Sequence, residues 1–307
     1  FLYLTMISPA WAANWHVRAG ATGSAAGSDW TNACTDFTGS CAVSSIVRGD
    51  TYYVASGAYA RLILNTAESG TSVITIKGAT VADHGAETGW VASYSVSTGD
   101  GGSQATFANG GVGLDAVLIS TSYWVFDGAV GSGNTASSYG FAALKPTNCS
   151  AGPQQGLEVQ KVGGTLTTAT VKHVAVVACG VAFDVAQRGL VVGCGNCYVT
   201  NSLFAHNFFD GFTQSWSIGN LANSTIEYNW SQNQWSSSAN HGETVGMRNC
   251  HNSDEAGCST AFTQGQGTIN NTFRYNIIKN CAGTGCVAAI GPGNVLSMNT
   301  WSFYGNI

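Results

Sequence analysis

The stretch YVTNSLFAHN at residues 198–207 recurs, with changes, toward the end of the chain. The copies are TIEYNWSQNQ at 225–234, TFRYNIIKNC at 272–281 and the partial SFYGNI at 302–307. Each copy alternates apolar and polar residues, which predicts a short strand with one buried face. Each then reaches Asn or a small polar residue, which favours a turn. This part of the chain is therefore built from repeated strand-turn units.

Units that recur within about 20–50 residues are typical of a solenoid, in which each coil stacks on the previous one. Equivalent residues of neighbouring coils then lie about 4.8 Å apart. Aligned on the first buried residue, the units predict an apolar ladder of Val199, Ile226, Phe273 and Phe303, with Val171 and Val125 as earlier members. A second ladder at the turn is predicted for Asn229, Asn276 and Asn306, with Ser202 in register. The sequence thus predicts an all-β fold, a right-handed parallel β-helix.

The composition agrees with a single all-β domain. The chain has 307 residues, of which only 9 % are charged and 44 % are hydrophobic, with 40 Gly and 4 Pro. A net charge of −5 argues against nucleic acid as a partner and requires local cations for any acidic polymer. Beyond the first residues, no apolar run is long enough to span a bilayer, so we expect no stable membrane insertion.

The N-terminal residues and the cysteines suggest export. Residues 1–12, FLYLTMISPAWA, are apolar and end in a small-x-small pattern, which predicts the remnant of a signal peptide. Ten cysteines favour an oxidising compartment. Short loops predict the pairs Cys34/Cys41, Cys250/Cys258 and Cys281/Cys286. The CGNC stretch at 194–197 has no second pair at metal-ligand spacing, so we do not interpret it as a zinc site.

The N-terminal half fits the same architecture. RGDTYYVASGAYARLIL and TSVITIKGATVADHG, within residues 48–85, alternate apolar with polar residues and break at Gly. Asp50, Asp83 and His84 fall at predicted turns and are interpreted as turn formers. Residues 13–45 are predicted to cap the first coil, because an open solenoid end would expose unpaired strand edges. Residues 46–307 are assigned to the β-helix, which we expect to be truncated at its C-terminus.

The segments GDTYYVASGAY, ITIKGATVADHG and YWVFDG, together with the TIEYN, TFRYN and SFYGN series, resemble the secreted pectate-lyase-like β-helix superfamily. The order HGE, TFRYN and GTG is similar to the alginate lyase and chondroitin B lyase family. This resemblance implies an extracellular polysaccharide as partner and β-elimination as the reaction. It also implies that Glu243, with Asn240 nearby, binds calcium.

Residues 238–258, SANHGETVGMRNCHNSDEAGC, concentrate reactive side chains in a chain with few charges. Elimination from a uronate needs a cation, a base and an acid. We therefore predict His241, Glu243 and Arg248 as catalytic residues. An inverting hydrolase would instead need a second carboxyl group about 6.5–9.5 Å from Glu243, supplied by Glu227 or Glu255.

Other positions leave the function open. A weaker cluster in FAHNFFDGFTQSW, together with the following coils, provides the predicted substrate-binding residues His206, Trp216 and Arg274, with Asp210 beside them. The lyase family pattern would also place an acid near Val245, a Lys soon after it and an Arg near residue 289, and this chain has none of them. The alternative is a noncatalytic surface or adhesive module built on a rigid β-helix.

Overall fold

A computed structural model describes residues 12–37, 41–42, 45–111, 114–143, 154–178, 187–193, 197–234, 244–247, 268–279, 290–292, 298–299 and 301–307. Its first strands are β1 Asn14–Val17, β2 Thr51–Val54, β3 Gly57–Tyr59, β4 Leu62–Leu64, β5 Ile74–Gly78, β6 Ala105–Phe107, β7 Val117–Ile119, β8 Trp124–Asp127, β9 Phe141–Ala143, β10 Gln154–Val159, β11 Thr165–Thr167, β12 Ala169–Lys172, β13 Val174–Val177 and β14 Gln187–Val192. Those that follow are β15 Tyr198–Thr200, β16 Leu203–Ala205, β17 Phe208–Asp210, β18 Gln214–Ile218, β19 Asn220–Ala222, β20 Thr225–Glu227, β21 Trp230–Gln232, β22 Val245–Met247, β23 Thr268–Ile269, β24 Thr272–Arg274, β25 Ile277–Lys279, β26 Ile290–Pro292, β27 Met298–Asn299 and β28 Ser302–Tyr304.

The helical segments are short. The segments that are described in full are an α-helix, α1 Val81–His84, which follows β5, and 3-10 turns at Ala92–Tyr94, Thr98–Asp100 and Ala136–Ser138. Thr80 caps α1 by accepting a hydrogen bond from the Asp83 backbone N–H. Among the described residues, no helix is long and apolar enough to cross a bilayer.

The strands form four stacks. A nine-stranded sheet has the order β1-β2-β5-β8-β12-β16-β20-β24-β28. Two seven-stranded sheets run β4-β7-β10-β14-β18-β22-β26 and β3-β6-β9-β13-β17-β21-β25, and a five-stranded sheet runs β11-β15-β19-β23-β27. Neighbouring strands are parallel in each sheet, as in the pairs β12 with β16 and β10 with β14. Because successive coils contribute parallel strands to these stacks in the same repeating order, with the five-stranded stack beginning at β11, the chain is a parallel β-helix, which confirms the predicted fold class.

The predicted apolar ladder exists with two corrections in register. Phe126, Val171, Phe204, Ile226, Phe273 and Phe303 occupy consecutive strands of the nine-stranded sheet. Phe204 therefore takes the place predicted for Val199, which pairs with Leu166 and Leu221 in the five-stranded sheet. Likewise Val125 pairs with Thr170 on the opposite face of the sheet. The Val199 error arises because residues 198–207 contain two strand-turn units, and the alignment used the first instead of the second. The Val125 error is a shift of one residue within β8.

The Asn ladder is confirmed for its three Asn members and extends to Asn207. The Oδ1 atoms of Asn229, Asn276 and Asn306 accept hydrogen bonds from the backbone N–H of Asn207, Asn229 and Asn276, at 2.8, 3.0 and 2.9 Å. Successive members lie 22, 47 and 30 residues apart. The prediction for Ser202 is wrong, because Ser202 lies at another corner, where it accepts from Ala169 and bonds to Ser224. Buried amide groups of the turn thus replace the water that a surface turn would bind.

The first strand is protected at its free edge. The backbone N–H groups of His16 and Arg18 donate to Gly27 and Cys34, and the Cys34 N–H donates to His16. The disulfide Cys34–Cys41, predicted from its short loop, holds this covering segment. Covering the edge prevents pairing with another chain. The domain limits at residues 12/13 and 45/46 stay predictions.

Candidate functional site

One side of the nine-stranded sheet faces away from the hydrophobic core and carries one residue from each strand in register. We call this row the outer column. Its members are His16, Tyr53, Lys77, Asp127, Lys172, Ala205, Glu227, Arg274 and Tyr304. The strand period of two places these residues outside because their neighbours, such as Ile226 and Phe273, are buried in the core. Charged groups therefore stack one strand spacing apart along the solenoid.

Opposite charges alternate along the outer column. Asp127 accepts from Lys172 Nζ at 2.9 Å and from His173 Nδ1 at 2.6 Å. Burial alone would raise the pKa of Asp127, but the hydrogen bonds from His173 and Lys172 outweigh it and lower the pKa to about 2. Asp127 is therefore a carboxylate at neutral pH.

A second ion pair lies three strands further along the same sheet. Arg274 Nε donates to Glu227 Oε2 at 2.6 Å, and one terminal nitrogen of Arg274 donates to the Tyr304 hydroxyl at 2.8 Å. The bond with Tyr304 and the bond with Glu227 raise the pKa of Arg274 above its usual value. These bonds fix the guanidinium group while using only two of its five N–H donors.

The turns that follow β12, β16, β20 and β24 carry a row of rings. We call this row the turn column, and its members are His173, His206, Tyr228 and Tyr275. The rings of His173 and His206 stack at 5.3 Å between centroids, those of His206 and Tyr228 at 5.1 Å, and those of Tyr228 and Tyr275 at 5.1 Å. Interplanar angles of 22°, 6° and 20° make these parallel stacks. The turn column therefore runs along the solenoid beside the outer column.

The backbone of the turn column is unusual. All four residues have positive φ, between 54° and 57°. A left-handed conformation costs about 1–2 kcal/mol for a residue with a side chain, and Gly or Asn is the usual choice there. Gly305 occupies the corresponding position of the last coil. Ring stacking of about 0.5–1.5 kcal/mol per pair offsets the cost of the left-handed backbone. The fold alone does not require rings here, since Asn or Gly would avoid that cost altogether.

The turn column is uncharged near neutral pH at its centre and exposed at its C-terminal end. Burial, together with the nearby His173, lowers the pKa of His206, so its imidazole is neutral at pH 7. Tyr228 is 47 % exposed and Tyr275 41 % exposed. Neither hydroxyl has a hydrogen-bond partner among the residues that the structure describes.

Neither a protein-family model nor a curated protein matches the chain. One solved structure is similar. It is a PL6 family polysaccharide lyase from Pseudopedobacter saltans, 11 % identical, and the match covers 87 % of this chain and 89 % of that one with a TM-score of 0.21.

The structure brings two of the three predicted substrate-binding residues to one surface. Arg274 lies in the outer column and His206 in the turn column. Trp216 is 0 % exposed, and its ring packs against Phe209 and Phe273 at 4.9 and 5.6 Å. A ring enclosed in the core cannot stack on a sugar, so Trp216 has a packing role. Asp210 accepts from Asn233 at 2.7 Å on a different sheet and stabilises a turn there.

The predicted catalytic residues His241, Glu243 and Arg248, and the predicted calcium ligands Glu243 and Asn240, lie outside the described residues. In sequence they flank β22, which belongs to the seven-stranded sheet that begins with β4. Among the described residues, one group of metal-binding side chains converges, and it consists of His16, His84 and Glu87.

Sequence reasoning missed Tyr228, Tyr275 and the ion pair of Asp127 with Lys172, whereas a surface pair of Arg274 with Glu227 is one of the alternatives that the sequence offers. A signal was present, because an aromatic ring or imidazole directly precedes the ladder Asn in AHN, EYN and RYN. The alternation of charge in the outer column could not be predicted, since Asp127, Lys172 and Glu227 are brought together only by the true register of the coils.

Proposed function

We propose that the chain binds an extracellular polysaccharide along the turn column and the adjoining outer column. The observation that carries this proposal is the row of stacked rings at about one-coil intervals along the solenoid axis, with Tyr228 and Tyr275 exposed at its C-terminal end. A row of equivalent groups at regular spacing suits an extended ligand with a repeating unit better than a small molecule. The turn column would keep its shape in the free protein, so little conformational entropy is lost on binding.

The chemistry of the two columns also favours a sugar chain. Tyr228 and Tyr275 use their ring faces against each other, so they contact a ligand through ring edges and hydroxyl groups. Their hydroxyls can donate to and accept from sugar hydroxyls. Arg274 retains N–H donors beside them for ring oxygens or carboxylates. Nucleic acid is a poorer ligand, because the cations of the outer column are paired with carboxylates and the net charge is −5.

The binding test compares wild-type protein with Tyr228→Asn/Tyr275→Asn in affinity electrophoresis against alginate, pectate, glycosaminoglycans and neutral glucans. Asn tolerates the left-handed turn, so the fold should survive. We expect binding to weaken at least about tenfold, the equivalent of 1.4 kcal/mol. The matched control is Tyr198→Asn, which replaces an aromatic residue on the five-stranded sheet and should bind as wild type. Unchanged binding by the double variant would remove the turn column from the function.

The same proposal includes cleavage by β-elimination, with His241, Glu243 and Arg248 in catalysis and calcium at Glu243 and Asn240. Its support is the clustering of these residues in sequence and the resemblance to the alginate and chondroitin B lyase family. Absorbance of unsaturated uronate, followed with and without calcium, should rise with the wild-type protein and stay flat with Glu243→Ala. Binding without any rise would favour the noncatalytic module instead.

Export is also part of the proposal. Its support is the signal-like residues 1–12 together with oxidised cysteines: Cys34 and Cys41 form a disulfide, and Cys197 is disulfide-bonded as well. Disulfides persist in extracellular and periplasmic compartments. Expression with residues 1–12 behind an intact signal should deliver the protein, oxidised, to the medium or periplasm, and reduced cytosolic protein as the sole product would contradict export.

A further inference from the structure

Three side chains from separate segments converge at the N-terminal end of the outer column. His16 is its first member, on β1; His84 ends α1; and Glu87 follows in the next turn. Glu87 Oε2 lies 3.1 Å from His16 Nε2 and 2.8 Å from His84 Nδ1. The candidate ligand atoms of all three residues lie within 4.8 Å of one another. We call this group the His-His-Glu cluster.

The fold holds the His-His-Glu cluster rigidly on the side of the two imidazoles. His16 is 7 % and His84 2 % exposed. The Tyr53 ring packs edge-on against His84 at 4.3 Å, and Trp30 packs against both imidazoles at 4.7 and 5.2 Å. The Glu87 side chain, by contrast, is 41 % exposed, so one side of the cluster is open to water.

The two ring nitrogens of His16 both face hydrogen-bond acceptors, and a neutral imidazole can donate to only one of them. Its Nδ1 lies 3.1 Å from the Gly27 carbonyl oxygen, and its Nε2 lies 3.1 Å from the Glu87 carboxylate. Both partners are acceptors, whereas a neutral imidazole has a single N–H to donate. If Nδ1–H donates to Gly27, Nε2 meets the carboxylate either as the second N–H of an imidazolium or through its lone pair, and a metal ion between the two atoms makes the second arrangement favourable.

His84 shows a second imbalance. Its Nδ1 faces the same Glu87 oxygen, and its Nε2 is buried without a hydrogen-bond partner among the described residues. With Nδ1 bound to a cation, the single proton of His84 lies on Nε2, where the ring of Tyr53 packs close by and can accept it weakly. The two imidazoles thus present lone pairs to one point beside a carboxylate.

We propose that His16 Nε2, His84 Nδ1 and a Glu87 carboxylate oxygen bind a divalent transition-metal ion, and that Zn²⁺ is the ion this donor set suits. Two imidazoles and one carboxylate are a frequent protein ligand set for zinc, with water at the fourth position. The exposed side of Glu87 leaves room for that water.

Neighbouring groups orient the ligands as metal sites require. The Gly27 carbonyl holds the proton of His16 on Nδ1, which leaves Nε2 to the metal. Trp30 Nε1 donates to Glu87 Oε2 at 2.8 Å and so orients the carboxylate. A bound ion would join β1 to the segment after β5 and would stabilise the covered end of the solenoid.

The test uses the full chain after treatment with a chelator. Calorimetric titration with ZnCl2 should show one equivalent bound, Co²⁺ should give visible d–d absorption, and zinc should raise the melting temperature. Glu87→Gln preserves the shape of an exposed side chain while removing its charge, and it should abolish zinc binding with an unchanged circular dichroism spectrum. Absence of Zn²⁺ and Co²⁺ binding by folded wild-type protein overturns the proposal.

A second variant tests the location without altering the cluster. The chain has six histidines, and replacing His173, His206, His241 and His251 by Gln leaves only His16 and His84. This variant should still bind one zinc, and X-ray absorption should show two imidazole nitrogens at about 2.0–2.1 Å. Loss of binding in this variant, or binding that survives Glu87→Gln, places the metal elsewhere and overturns the assignment.

Discussion

The two ends of the nine-stranded sheet place the same register position in opposite surroundings. At the N-terminal end, the segment containing Trp30 covers the outer column, and a small hydrophobic cluster of Trp30, Ala55 and Ala79 lies over the sheet. At the C-terminal end, no described segment covers Glu227 and Arg274, and the rings beside them reach solvent. The same outward position therefore lies among two buried imidazoles and a partly exposed carboxylate at one end, and beside a partly exposed ion pair and exposed rings at the other.

This difference shows that the register fixes which residues meet, whereas the covering segment decides their chemistry. A buried imidazole whose lone pair faces a carboxylate has a place for a cation between them, whereas an ion pair near the surface contributes little to stability and stays available to a ligand. Substitutions in the covering segment, or in the rows that it leaves exposed, test this difference.

Removal of the cover should have the largest effect. Trp30→Ala deletes a fully buried ring that packs on His16, His84 and Trp90. We expect the free energy of unfolding to fall by about 3–5 kcal/mol. Urea denaturation followed by tryptophan fluorescence and circular dichroism measures this, and a loss below about 1 kcal/mol would show that Trp30 does not hold the cover in place.

The buried Asn ladder should be the next most sensitive feature. Asn229→Ala removes the acceptor of the buried Asn207 N–H and the donor to the Phe204 carbonyl, at 2.8 and 3.0 Å. An unsatisfied buried group costs about 1–3 kcal/mol. The control is Asn223→Gly at an exposed left-handed turn, which should change stability by no more than about 0.5 kcal/mol. Equal effects of the two substitutions in chemical denaturation would contradict an interior role for the ladder.

The sequence predicts the fold class well and the register poorly. Alternating apolar and polar residues followed by a recurrent Asn are enough to indicate a solenoid, because few other folds place Asn229 and Asn276 at equivalent turns. It does not say which of the two strand-turn units in 198–207 matches 225–234, since both end in a small polar residue and either alignment buries apolar side chains. The choice of Val199 instead of Phe204 placed one rung of the predicted ladder on another sheet.

The two candidate sites were predicted to different degrees. His206 and Arg274 were identified from residue type and lie in the two columns. The His-His-Glu cluster was not predicted, because His16, His84 and Glu87 are joined only by the pairing of β1 with β2 and of β2 with β5. His84 was interpreted as a turn former, and it does end α1, but no local pattern reveals the burial of its ring.

Acid should weaken the ion pair in the middle of the outer column. The pKa of Asp127 is lowered from 3.8 to about 2 in the folded protein, so its contribution is complete above about pH 4 and is lost as pH falls toward 2. The contribution is about 2 kcal/mol. Glu68 also has a pKa of about 2, so acid weakens both wild type and Asp127→Asn. Between pH 5 and pH 2 the unfolding free energy should fall by about 2 kcal/mol less in Asp127→Asn, and parallel curves would exclude the contribution.

The smallest effect on stability is expected where the proposed function is strongest. Tyr228→Asn removes two ring stacks, with His206 and Tyr275, worth about 0.5–1.5 kcal/mol each. It also relieves a left-handed Tyr, which costs about 1–2 kcal/mol. These terms nearly cancel, so the unfolding free energy should change by less than about 1 kcal/mol while polysaccharide binding weakens. A large loss of stability with unchanged binding would mean that the rings stabilise the fold and do not bind polysaccharide. The two ends of the sheet would then differ in exposure but not in function.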